Sequence, residues 1–140
     1  MTTVIQAIHS AFTAKQNCDK NVANFGADPE WAERWQERLD QLQDRLPSGS
    51  GFDCGTRIVG KVEQAVILQT DYHHMDEHGC YSHWTRHDIT VFPTFDDCGF
   101  DFKVECNNAP DDWDIDSFDD YLCDTLHAAL SAEAPKAPWA

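Results

Sequence analysis

Apolar residues switch to a period of two on either side of one histidine-rich stretch, and this constrains the fold more than any other feature. Val66, Leu68, Thr70 and Tyr72 lead into Tyr72–His87; His87, Ile89 and Val91 lead out; Phe100, Phe102, Val104 and Cys106 form a third series. Such alternation marks strands with one buried face. It predicts strands over roughly 64–74, 83–93 and 99–107. Matching the apolar positions sets the register: Leu68 opposite Ile89, Thr70 opposite His87, His74 opposite His83, and Val91 opposite Phe102, with His87 opposite Cys106. Asp96-Asp97 then falls at a turn. One face is apolar apart from its histidines, and the other carries Asp71, Asp88, Asp101 and Glu105 beside Trp84 and Phe92.

The flanking segments have helical spacing. Ile5, Ile8 and Phe12 predict a helix over 3–24, with Val22 and Phe25 resuming the stripe and Gly26 as its stop. Asp28-Pro29-Glu30 opens a second helix, with a capping acid before proline. Trp31, Trp35, Leu39, Leu42 and Leu46 form its stripe, and Pro47-Ser48-Gly49-Ser50-Gly51 ends it. Residues 52–62 are ambiguous, with Arg57-Ile58-Val59 a candidate short strand. Phe118, Tyr121, Leu122, Leu126, Ala129 and Leu130 predict a last helix from about Ser117 to Ser131.

The expected class is α+β: two N-terminal helices, a three-stranded antiparallel meander and one C-terminal helix packed on one face of the sheet. Residues 1–132 form a single domain and 133–140 a loose C-terminal tail. No window approaches the roughly 18 apolar residues of a membrane helix, and the N-terminus has no signal-peptide pattern. A cytoplasmic (host-cell) location is the expectation. The six cysteines then read as reduced thiols, mostly buried as small hydrophobes.

Charge narrows the function classes. The net charge is −15, and residues 96–124 hold eleven acids against Lys103 alone. Nucleic-acid binding relies on neutralising phosphates, so this balance argues against direct binding to DNA or RNA. No glycine-rich phosphate loop, nucleophile elbow or His-Glu-x-x-His pattern is present, so no catalytic residue is assigned and no cofactor is expected. Asp112-Trp113-Asp114-Ile115-Asp116 opens like a calcium loop. It has Ser117 where glycine is needed and Cys123 where a bidentate glutamate is needed. His74, His83, His87 and Cys106 are zinc-compatible donors, but their spacing matches no finger or ribbon. They make a small zinc- or ligand-binding accessory domain the alternative reading; a structural or assembly protein, dimerising through an exposed sheet edge, is a third.

A further pattern is more specific. Leu46-Pro47-Ser48-Gly49-Ser50-Gly51-Phe52-Asp53, Tyr72-His73-His74-Met75-Asp76-Glu77-His78-Gly79, Tyr81, Trp84-Thr85, His87 and Gly99-Phe100-Asp101-Phe102 resemble a family of small uncharacterised proteins encoded by bacteriophages and mobile elements. The resemblance covers roughly residues 46–130. It implies no activity and no site residue. His83 stands where that family's pattern has glycine, and Cys80 where no cysteine is expected, so a zinc site common to the family does not follow. The leading expectation is an acidic protein that imitates a nucleic-acid backbone. It would inhibit a basic, nucleic-acid-binding host defence protein, of anti-CRISPR or anti-restriction type. Its candidate partner-binding residues are Asp101, Glu105, Asp111, Asp112, Trp113, Asp114 and Asp116.

Overall fold

A computed structural model describes residues 2–47, 56–75, 77–93, 100–107 and 124–139, with 72–75, 81–83, 93 and 100–107 given as backbone only. Two helices come first, α1 (Val4–Phe25) and α2 (Glu30–Gln43). Four strands follow: β1 (Thr56–Val62), β2 (Ala65–Met75), β3 (Tyr81–Pro93) and β4 (Phe100–Asn107). A last helix, α3, is described over 124–131. The fold is α+β.

Local chemistry explains the helix ends. Thr3 and Gln6 form a reciprocal capping box: the Gln6 N–H donates to Thr3 Oγ1 (3.3 Å) and the Thr3 N–H to Gln6 Oε1 (3.0 Å). At the other end Gly26 takes the left-handed conformation (φ 66°), and its N–H and that of Ala27 satisfy the Val22 and Asn21 carbonyls. A side chain at 26 would meet nothing within 4 Å, so the constraint is backbone strain alone. Gly26→Ala should therefore cost about 1 kcal/mol, read as a lower denaturant midpoint at unchanged slope. In α2 the cap is Pro29 rather than the expected Asp28, whose carboxylate nevertheless accepts the Glu30 N–H at 3.0 Å.

The sheet is an antiparallel meander in the order β1-β2-β3-β4. The expected register holds at every pair: Leu68 faces Ile89, Thr70 His87, His74 His83, Val91 Phe102 and His87 Cys106. β1 adds a fourth strand to the expected three. The candidate strand Arg57-Ile58-Val59 lies within it, and a bulge between Ile58 and Gly60 breaks the alternation that would have shown its full length. Its outer edge is held by Gln43, whose amide donates to the Thr56 carbonyl and accepts the Ile58 N–H (2.8 Å). One side chain of α2 thus stands in for a neighbouring strand.

Helices cover one face of the sheet. Ile5 and Ile8 of α1, Leu39 and Leu42 of α2, and Leu126 and Leu130 of α3 pack with Val66, Leu68, Ile89 and Val91 in one buried cluster. This burial drives the fold, because each large aliphatic removed from water contributes about 1.5–3 kcal/mol. The stripe of α1 does not continue as far as expected: Phe25 is 81% exposed, and the second half of the helix projects past the core. Further along β2 and β3 the inner face turns polar, with Thr70, Thr85 and His87 fully buried.

Residues 133–139, expected as a loose tail, are tied to the body instead. Glu133 pairs with Thr3, and the Ala134 N–H donates to the Thr2 carbonyl (2.8 Å). The carbonyls of Pro135 and Lys136 accept from Arg38 Nη1 (2.6 Å) and Gln41 Nε2 (2.7 Å). Trp139 stands edge-on to Trp35 and Trp31. Donors supplied by α2, the pairing with the N-terminus and the edge-on contacts of Trp139 hold the segment.

Candidate partner-binding face

The outward face of the sheet carries the exposed aromatics and most of the sheet's charge. Odd positions of β3 point to the core, so Trp84, Arg86, Asp88, Thr90 and Phe92 fall on the outward side. Trp84 is 37% and Phe92 47% exposed. Directly paired positions share a face, so the pairings Asp88–Glu105 and Phe92–Asp101 place positions 101 and 105 on this side as well. Asp111, Asp112, Trp113, Asp114 and Asp116 lie outside the described residues, as does the Asp96-Asp97 turn.

This face divides in two electrostatically. On the β1–β2 side, Asp71 is ion-paired within the chain. Arg86 Nε and Nη2 donate to its two oxygens at 2.8 and 3.3 Å, and Arg57 Nη2 reaches it at 3.4 Å. Arg57 Nη2 also donates to Gln69 Oε1 (2.8 Å), and Gln69 Nε2 to Asp88 Oδ1 (2.7 Å). The Arg86 guanidinium also sits over the Trp84 ring, 5.4 Å from its centroid. The result is a ladder running across three strands. By position the β3–β4 side carries three acids against one base: Asp88 faces Glu105, Asp101 faces an aromatic, and Lys103 falls between the two acids of β4, opposite Thr90.

The Arg86 hydrogen bonds, helped by the charge of Arg57, hold the Asp71 carboxyl below its ordinary value of 3.8 against the opposing effect of partial burial. A depressed carboxyl stabilises the fold above its unfolded pKa and loses that contribution as pH falls through the folded value. His9 works in the same direction at higher pH. Burial, and to a lesser degree the charge of Lys61, keep it below 6.5 despite a hydrogen bond with Gln64. Protonating it therefore opposes folding, and stability begins to drop as pH falls below 6.5. Asp71→Asn should cost about 1–2 kcal/mol at pH 7 and flatten the acid limb of the stability profile below pH 4, leaving the limb near pH 6 intact. Urea midpoints measured from pH 8 to pH 3 check both.

The histidine and cysteine positions do not converge on one point. His74 pairs with His83, and His87 with Cys106. Four residues of β3 separate the pairs, about 13 Å at strand rise. Each place therefore offers two donors, whereas zinc takes three or four at roughly 2.0–2.3 Å. His87 is buried with its Nε2 2.9 Å from the Thr85 hydroxyl, inside the sheet rather than at its edge. His78 is exposed beside Glu77. Among the described residues no cluster of three or more metal-ligating side chains occurs. Of the thiols, Cys18 is half-buried and Cys80 exposed, so these two are not core residues.

No protein-family model, curated protein or solved structure matches the chain.

The face is thus read from this molecule alone. No described helix is long and apolar enough to cross a membrane. Sequence reading placed Asp88, Trp84 and Phe92 together but missed the pairing of Asp71 with Arg57 and Arg86. The signal was available: once Leu68 is set opposite Ile89, Asp71 falls opposite Arg86.

Proposed function

We propose that this chain is a binding protein, not an enzyme, and that the β3–β4 side of its outward sheet face takes up a basic surface on a partner protein. The observation that supports this most directly is the pairing of Asp88 with Glu105 and of Phe92 with Asp101, beside exposed Trp84. Like charges placed opposite each other destabilise a sheet. A folded chain that keeps them beside solvent-facing aromatics has the composition of a binding surface: aromatic anchors for contact energy and carboxylates for attraction. In sequence, Asp111, Asp112, Trp113, Asp114 and Asp116 follow β4 and have the same chemistry.

A groove that holds nucleic acid has the complementary chemistry, being basic and able to stack aromatics. In the mobile-element setting implied by the hairpin resemblance, the partner would be a nucleic-acid-binding host defence protein in the cytoplasm, and the chain its inhibitor. Capture from host lysate tests this. The reading expects a basic protein retained at about 50 mM salt, released at several hundred millimolar, and displaced by duplex DNA. Retention unaffected by either salt or DNA would count against it.

A further inference from the structure

The C-terminal segment makes its contacts in an unusual manner. Prolines stand at 135 and 138, three residues apart, with Trp139 directly after the second. Residues 134–137 have no regular structure before a turn at 138–139, and Pro135 has its φ fixed near the polyproline value, so the carbonyls of 135 and 136 need outside donors. Here α2 supplies them, through Arg38 Nη1 to Pro135 and Gln41 Nε2 to Lys136. Arg38 Nη1 also donates to Gln41 Oε1 (2.7 Å), which aligns the two donors with each other. One helical turn and more toward the N-terminus, the Trp139 ring meets Trp35 at 4.9 Å and Trp31 at 6.1 Å, edge-on to both (83° and 86°). Aromatic-lined grooves are how proline-rich segments are recognised in trans.

The aromatic surface also runs on past the segment. With Trp139 in place Trp31 is still 47% exposed, and its ring lines a cavity of about 240 Å³ with Cys18, Asn21, Ala27 and Asp28. We propose that this face of α2 is a recognition groove for segments of the form Pro-x-x-Pro-Trp. Residues 135–139 occupy it in cis, and a partner protein bearing a segment of the same chemistry displaces them. The groove lies in the helical layer, away from the acidic sheet face, so neither reading depends on the other.

A tethered occupant acts at millimolar effective concentration, so a free peptide meets a mostly closed site and its apparent affinity falls by the open fraction. The experiment uses the full chain and the blocked peptide Ala-Pro-Lys-Ala-Pro-Trp-Ala carrying a fluorophore, read by anisotropy. Trp139→Ala empties the slot. The peptide should bind this variant saturably at one per chain, and the unaltered chain about tenfold or more weaker. Adding Arg38→Ala to the variant, or replacing both prolines of the peptide by alanine, should weaken binding about tenfold. Should Trp139→Ala not fold, as judged by circular dichroism, Pro138→Gly provides a second host that keeps the indole while loosening the segment. The same order of affinities is expected there. No saturable binding to a folded variant, or equal binding to variant and unaltered chain, would overturn the proposal.

Discussion

Leu130→Ala should be among the most destabilising single substitutions in the chain, lowering stability by about 2–5 kcal/mol and Tm by roughly 10 °C. Leu130 is fully inaccessible and belongs to the cluster shared by α1, α2, α3 and the inner face of β2–β3. Truncation removes the transfer free energy of the side chain and leaves a cavity that helices anchored to a four-stranded sheet cannot readily close. The same substitution tests whether the C-terminal helix is part of the fold or an appendage. An appended helix would fray locally, with little change in the global transition. Two residues away in sequence, exposed Ala128→Ser should change stability by less than about 0.5 kcal/mol. Urea titration of both variants, followed by circular dichroism, separates the two cases.

Most of this architecture is legible from apolar spacing. The register of β2, β3 and β4 follows from alternation alone, because a slip of one residue would move Val66, Leu68, Ile89 and Val91 from the core to solvent. β1 is obscured by its bulge at Val59, which puts Ile58 and Gly60 out of step, and by Gln43, a side chain that completes its edge from another element. The ordered C-terminal segment is hidden for a different reason. Its prolines suppress any helical or strand period, and its partners Arg38 and Gln41 lie 97 and 95 residues away in sequence. Trp31 illustrates the consequence: its place on the α2 stripe is visible, but its ring meets Trp139 rather than the core cluster. The candidate binding face is legible to the extent that it follows from register. Asp88, Asp101 and Glu105 fall on one side by parity, whereas the pairing of Asp71 with two arginines requires that register to be worked through to the charged positions.

Charge reversal on the β3–β4 side should have the larger functional effect. Converting Asp88, Asp101 and Glu105 to lysine replaces three attractive contacts with a basic surface by three repulsive ones. Close like charges at an interface cost several kcal/mol, so affinity for a basic partner should fall by roughly a hundredfold or more at low salt. The association rate should carry much of the loss, since long-range attraction speeds encounter. Fold stability should change little or fall slightly, because positions 88 and 105 stay like-charged and the Gln69 hydrogen bond to Asp88 is lost. Overall net charge changes too, and that alone would weaken attraction to any basic protein. A matched variant separates the two effects: Glu33, Glu37 and Asp44 are exposed on or just after α2, and reversing them changes the net charge equally at a different place.

The most direct test is therefore the salt dependence of binding for these two triple-lysine variants beside the unaltered chain, using the basic protein captured from lysate. The outward-face account predicts that the Asp88/Asp101/Glu105 variant loses binding and most of its salt sensitivity while the Glu33/Glu37/Asp44 variant keeps both within a fewfold. Equal losses in the two variants, or binding unchanged in the first, would contradict it.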